Sequence, residues 1–180
     1  MKTTSLKVTH SVKELLFIIS PPRHIKSDVS VLKDDVQYLI GHPFEDRHAS
    51  ACVSLFTYSD RHIDDMIEHV EAKAAHFKPF NIFVKDLNVF YNGQYRTIYL
   101  DIVNKYPVRE IFEKIIREDA GFVPHITIAR KLNAEDFLKA WPYLKDLSYS
   151  QHFTCDRLSV LARADNRWIH YRDIPFGRTA

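Results

Sequence analysis

Glycine is scarce in this sequence, with four residues in 180 and no cluster among them. Loops of the P-loop or Rossmann kind need grouped glycines so that backbone N–H groups can approach phosphate oxygens, so nucleotide binding by those routes is disfavoured. Cysteine is scarcer still. Cys52 and Cys155 stand alone, with no CxxC spacing, which argues against a zinc site and against a disulfide scaffold. No apolar run approaches the ~20 residues of a membrane span. The N-terminal stretch has Lys2 but no long apolar core, so it lacks the pattern of a secretory signal. An excess of one charge is missing too. The formal net charge is +2 with histidines neutral, which gives no broad basic stripe for nucleic acid. The expectation is a soluble, cytoplasmic protein without membrane, metal or cofactor, its oligomeric state left open.

What the chain does have is material for a core. Hydrophobic residues make up 46% and aromatics 13%, far from a disordered composition. Residues 1–12 are mixed and polar and read as a loose lead-in or a short extra strand. Leu15–Ile19 is an apolar run that Pro21 and Pro22 stop, the pattern of a buried strand. Ile25, Val29, Leu32, Val36 and Leu39 make a helical stripe, with Gly41 at the C-cap position. After a polar loop over 42–47, His48–Phe56 reads as a strand. Asp60 is a candidate N-cap for a helix through Ile63, Ile67, Val70, Ala74 and Phe77, which Pro79 closes.

Strand character returns at Phe80–Val84 and Val89–Tyr91. Asn92-Gly93 is the strongest hairpin signal in the chain, and Arg96–Val103 is the returning strand. Pro107 suits the first turn of a helix whose buried face is Val108, Ile111, Phe112 and Ile115. A strand over 123–129 follows. A helix then starts near Asn133 and is expected to kink or end at Pro142. Two late strands are expected, over 151–162 and 167–175.

The segment Pro124-His125-Ile126-Thr127-Ile128-Ala129-Arg130 carries the chemistry. In an extended chain alternate side chains share a face, so His125 and Thr127 stand together over an apolar backing of Ile126 and Ile128. An imidazole beside a hydroxyl suits a phosphate or carbonyl oxygen. A half-buried strand that carries a polar histidine would show the same pattern. Ser54 and Thr127 lie six residues before the two expected helix starts at Asp60 and Asn133, so two similar strand–helix units, one per lobe, are expected.

Pro124–Arg130 resembles the second signature of the 2H phosphoesterase superfamily, the 2′-5′ RNA ligase-like and cyclic phosphodiesterase proteins, which carry two His-x-Thr/Ser motifs. Leu16–Pro22 resembles the family's first strand, and Lys78–Ile82 with Thr97–Leu100 its central hairpin. The resemblance covers most of the chain. It implies an α+β fold over residues 1–180 as one two-lobed domain, with two antiparallel sheets forming a central cleft and helices outside. The first signature departs from the family pattern: where a histidine would stand two residues before Ser54, this chain has Cys52. His48-Ala49-Ser50 supplies a second His-x-Ser triplet four residues earlier. The spacing to the following helix favours Cys52 as the equivalent position, while a bulge or bend would bring His48 inward.

The family's chemistry, carried over by resemblance, is metal-free attack on a phosphodiester at RNA ends or on 2′,3′-cyclic phosphates. One histidine takes a proton from water or a ribose hydroxyl, and the other gives one to the leaving oxygen. Imidazole titrates near neutrality and suits both roles, and hydroxyl donors stabilise charge on nonbridging oxygens. His125 is then the acid or base, Thr127 and Ser54 are phosphate-oxygen donors, and Cys52 or His48 fills the first-motif place. Arg130 is placed to reach a phosphate and Tyr99 to line the cleft. The implied partner is an RNA terminus or a cyclic nucleotide. A thiol is a weak donor and mostly protonated at neutral pH, so the expectation is slow chemistry or, as the alternative, a cleft that binds phosphate or an RNA terminus without turnover. His42, His62, His69 and His76 are read as solvated.

Overall fold

The computed structural model describes residues 14–117 and 121–177; the expected lead-in over 1–12 lies outside them. The first unit is β1 (Leu15–Ile19), α1 (Arg23–Ile40), β2 (Val53–Tyr58) and α2 (Ile63–Ala74). β1 is buried nearly throughout, as its unbroken apolar sequence requires. α1 seats Ile25, Val29, Leu32, Val36 and Ile40 in the core. Gly41 ends it at φ +84°, with its N–H on the Gln37 carbonyl. That left-handed cap disfavours a side chain at residue 41.

A long hairpin follows, β3 (Phe80–Asn92) and β4 (Tyr95–Ile102). Its two-residue turn is Gly93-Gln94, with Asn92 paired to Tyr95. Gly93 has φ +59°, the positive value that hairpin turns place on glycine. The second unit repeats the first: β4, α3 (Lys105–Ile116), β5 (His125–Leu132) and α4 (Ala134–Leu144). Pro107 is in the first turn of α3, and Asn133 caps α4 by accepting the Asp136 N–H at 2.8 Å. The described chain ends with β6 (Ser150–Cys155), β7 (Arg157–Ala164) and β8 (Arg167–Pro175).

The strands form two antiparallel four-stranded sheets, ordered β2-β1-β7-β8 and β5-β4-β3-β6. In each unit the inner strand (β1 or β4) pairs with the strand two elements later (β2 or β5), which lies at the sheet edge. The units are knit together. α1 packs on α4 and β5, α2 packs on α3, and the edge strands β2 and β5 touch each other.

Several expectations about boundaries need correction. The strand expected from His48 begins at Val53; residues 45–48 form a turn, because Arg47 and Ala49 N–H groups bond back to Phe44 and Asp46. The expected strand over 151–162 is two strands in different sheets, divided at Asp156. The sequence carries the reason. Burial alternates on 153 and 155 and then slips by one, to 158, 160 and 162. Such a slip turns the side chains to the other face.

Asp60 is not the N-cap of α2, which is His62, although its carboxylate accepts the Arg61 and His62 N–H groups. Pro142 neither ends nor breaks α4, which runs on to Leu144. The N–H that proline lacks would have met the carbonyl of Leu138, an exposed residue, where water can take its place.

Candidate active site

The two edge strands share an irregularity at the same place. In β2, Phe17 pairs with Phe56 and Ile18 with Ser54, so Leu55 is an extra residue in the ladder. In β5, Ile98 pairs with Ala129 and Tyr99 with Thr127, so Ile128 is extra. Both strands therefore bulge at the residue directly after the hydroxyl. A bulge bends its strand and re-aims the flanking side chains. The equal spacing from hydroxyl to helix fails, since the N-caps are His62 and Asn133, but the ladder itself makes Ser54 the counterpart of Thr127. Two residues before each hydroxyl stand Cys52, just ahead of β2, and His125, the first residue of β5.

Cys52 and Ser54 point to one side, with Sγ and Oγ 3.5 Å apart. Ser54 is exposed and Cys52 half-buried. Burial raises the Cys52 thiol above its ordinary range; the bond to Ser54 and the charges of Lys33 and Lys26 offset this only in part. The group is therefore a neutral thiol at physiological pH.

His125 is fixed in orientation. Its Nδ1 donates to the Val123 carbonyl at 2.7 Å. A carbonyl only accepts, so the proton of the neutral ring sits on Nδ1 and Nε2 presents a lone pair. The ring stands edge-on to Phe90, with centroids 4.9 Å apart, and to Tyr99 at 5.2 Å; those two rings stack at 4.0 Å. Burial lowers the His125 pKa below the usual imidazole value, against smaller raising effects from the Val123 carbonyl and Asp101. A neutral imidazole with a free Nε2 is the form a general base takes.

The other expected residues divide. Tyr99, 5% exposed, forms the aromatic bed under His125 and sits opposite Thr127 in the ladder. Arg130 is exposed but engaged, donating to Asp46 at 2.6 Å. His48 is off the strand, in the turn over 45–48, and lines a cavity with Lys26 and Lys33. His42 and His69 are not simply solvated. His42 meets the Asp136 carboxylate at 3.0 Å and His69 the Ile115 carbonyl at 3.0 Å.

Sequence reading misses Phe90 and Lys33. Lys33 falls three residues before Val36 and four after Val29, inside the apolar stripe of α1, and that position is its signal. It is 3% exposed, and its ammonium donates to the Asp46 and Ala49 carbonyls at 2.6 and 2.8 Å. Phe90 is hidden because Asp86, at φ +52°, interrupts the alternation of β3. Among the described residues, no three His, Cys, Asp or Glu side chains gather as a metal-binding group, and no helix is long and apolar enough to cross a membrane.

This is an α+β fold in which paired strand–helix units bring two hydroxyl-bearing edge strands together. Solved structures share it. TT0787 of Thermus thermophilus superposes with a TM-score of 0.68 at 14% identity, covering 91% of this chain and 98% of its own. E. coli LigT complexed with 3′-AMP gives 0.62 at 12% identity, covering 92% and 98%. E. coli LigT complexed with phosphate gives 0.57 at 12%, with the same coverage. No curated protein matches the sequence. The family model of the 2′-5′ RNA ligase superfamily matches residues 21–167. The chain belongs to that superfamily, the 2H phosphoesterases.

Proposed function

We propose that this chain, as one two-lobed domain, is a metal-independent phosphodiesterase acting on RNA ends or 2′,3′-cyclic phosphates, with chemistry slowed by the Cys52 thiol. The observation that carries the reading is the matched pair of bulges, which sets Ser54 and Thr127 at equivalent places on touching edge strands. In this reading the two hydroxyls donate to nonbridging phosphate oxygens. His125 Nε2 takes the proton of the attacking water or ribose hydroxyl while Val123 holds the ring in register. Cys52 stands where a second histidine would protonate the leaving oxygen, and a thiol raised by burial gives up its proton poorly. Loss of one well-matched acid or base commonly costs ~10²–10⁴ in rate.

The ligands in the E. coli LigT structures, 3′-AMP and phosphate, support a phosphate-bearing nucleotide as the partner class. Two free cysteines fit work in the reducing cytoplasm. The test is hydrolysis of a 2′,3′-cyclic nucleotide with EDTA present, comparing the wild type with His125→Ala. A rate in the wild type above that of the variant is expected. Equal rates reject the enzyme reading; if the cyclic nucleotide still binds with salt-sensitive affinity, the chain is a binding module.

A further inference from the structure

A cavity of about 260 Å³ lies between α1 and the segment that leads into Cys52, lined by Lys26, Ser30, Lys33, Arg47, His48 and Ser50. Lys26, Ser30 and Lys33 are spaced four and three apart on α1, so they share one helix face. The segment 47–50 closes the other side, held in place by the Lys33 ammonium on the Asp46 and Ala49 carbonyls.

The lining is rich in donors. An ammonium has three N–H groups, and Lys33 uses two on those carbonyls, leaving one. Arg47 uses Nε on Gln37 at 2.9 Å and Nη2 on Asp34, leaving Nη1. Among the described residues, no other side chain forms a hydrogen bond or ion pair with Lys26 or His48. The two hydroxyls add further donors. Charge points the same way: Lys26, Lys33, Arg47 and nearby Arg130 face two carboxylates, Asp34 and Asp46, each already in an ion pair. Four positive against two negative leaves a local excess of two. Burying a lysine is costly, and burial holds the Lys33 ammonium below its usual pKa, an effect that the Asp46 carboxylate offsets only in part. An anion with several acceptor oxygens would satisfy the unused donors together and relieve that cost.

We propose that this cavity is a binding site for a phosphate group with at least three unesterified oxygens, separate from the His125–Thr127 face and not dependent on chemistry there. Two sources carry that group: a terminal phosphate on the substrate's own nucleotide chain, and free phosphate. The cavity adjoins Cys52, since Ala51, the residue before it, is part of the lining, so a terminally phosphorylated substrate would be gripped next to the first-motif strand.

The test is a titration of the full chain with inorganic phosphate at low salt, followed by backbone amide NMR. Saturable shifts are expected in residues 47–51. Charge-assisted hydrogen bonds contribute enough that the double variant Lys26→Gln/His48→Ala should bind about 10–100-fold more weakly, while His125→Ala keeps the site. The fold of the double variant is checked by its unshifted amides elsewhere. No saturable shift in 47–51, equal affinity in the double variant, or loss of those shifts in His125→Ala overturns the proposal. The source is read from KM. A lower KM for a 5′-phosphorylated dinucleotide 2′,3′-cyclic phosphate than for its unphosphorylated form, with the gap closing in the double variant, assigns the site to the substrate; no gap, with phosphate still bound at 47–51, assigns it to free phosphate.

Discussion

Leu55 and Ile128 hold the same post in two different sheets: each is an extra, unpaired residue in its ladder, and each directly follows a hydroxyl. Side chains on one strand alternate with period two, so a bulge at this point fixes which residues share a face with the hydroxyl. Ser54 and Thr127 are thereby matched without reference to loop lengths, which differ between the two units, and Cys52 and His125 each stand two residues before them.

The orientation of His125 predicts a pH profile. Its folded pKa is lowered below the ordinary imidazole value of ~6.5 by burial. As a base it works when neutral, so kcat/KM for a 2′,3′-cyclic nucleotide should rise with pH through a midpoint below ~6.5 and then level off. The raised Cys52 thiol places any falling limb above the ordinary thiol range. A falling limb near pH ~7 would contradict this, since it requires a second ordinary imidazole. The same shift bears on stability. A histidine whose folded pKa is depressed binds fewer protons folded than unfolded, so its contribution is present above ~6.5 and is lost as pH falls through the folded value.

The aromatic bed gives a prediction about packing. Tyr99→Phe keeps the ring that stacks on Phe90 and meets His125 edge-on and should leave turnover within about threefold. Tyr99→Ala removes a buried ring and should destabilise the fold by ~3–5 kcal/mol, measured by urea denaturation. An equal stability for the two variants would show that the ring is not what matters there.

Asn133 caps α4 through Asp136. Asn133→Ala should cost ~0.5–2 kcal/mol with kcat unchanged, because the cap lies beyond the end of β5 from His125. A loss of turnover without loss of stability would contradict the assignment of Asn133 to structure alone.

Much of this molecule is legible without coordinates. Hydrophobic periodicity locates the inner strands and all four described helices, because those elements bury one continuous face and their sequences must show it. The His125-x-Thr127 pair is legible for the same reason: Ile126 and Ile128 mark the opposite face. Three things are not. Whether residues 151–162 cross between sheets depends on one slip in alternation at Asp156, which a run of strand-forming residues masks. His48 reads as part of the strand because Ala49–Cys52 has no strong breaker, while the turn at 45–48 is set by backbone bonds. Arg130 reads as a phosphate contact and Lys33 draws no reading, and only the fold brings Asp46 to meet Arg130 and sets the Asp46 carbonyl over Lys33.

The most direct measurement is the rate of 2′,3′-cyclic nucleotide hydrolysis by Cys52→His with EDTA present. If Cys52 is the counterpart of His125, restoring an imidazole supplies the missing proton donor, and the rate should rise by ~10²–10⁴-fold over wild type, with the gain erased by His125→Ala in the same chain. A Cys52→His protein that is folded yet no faster than wild type, with turnover abolished instead by His48→Ala, would contradict the account.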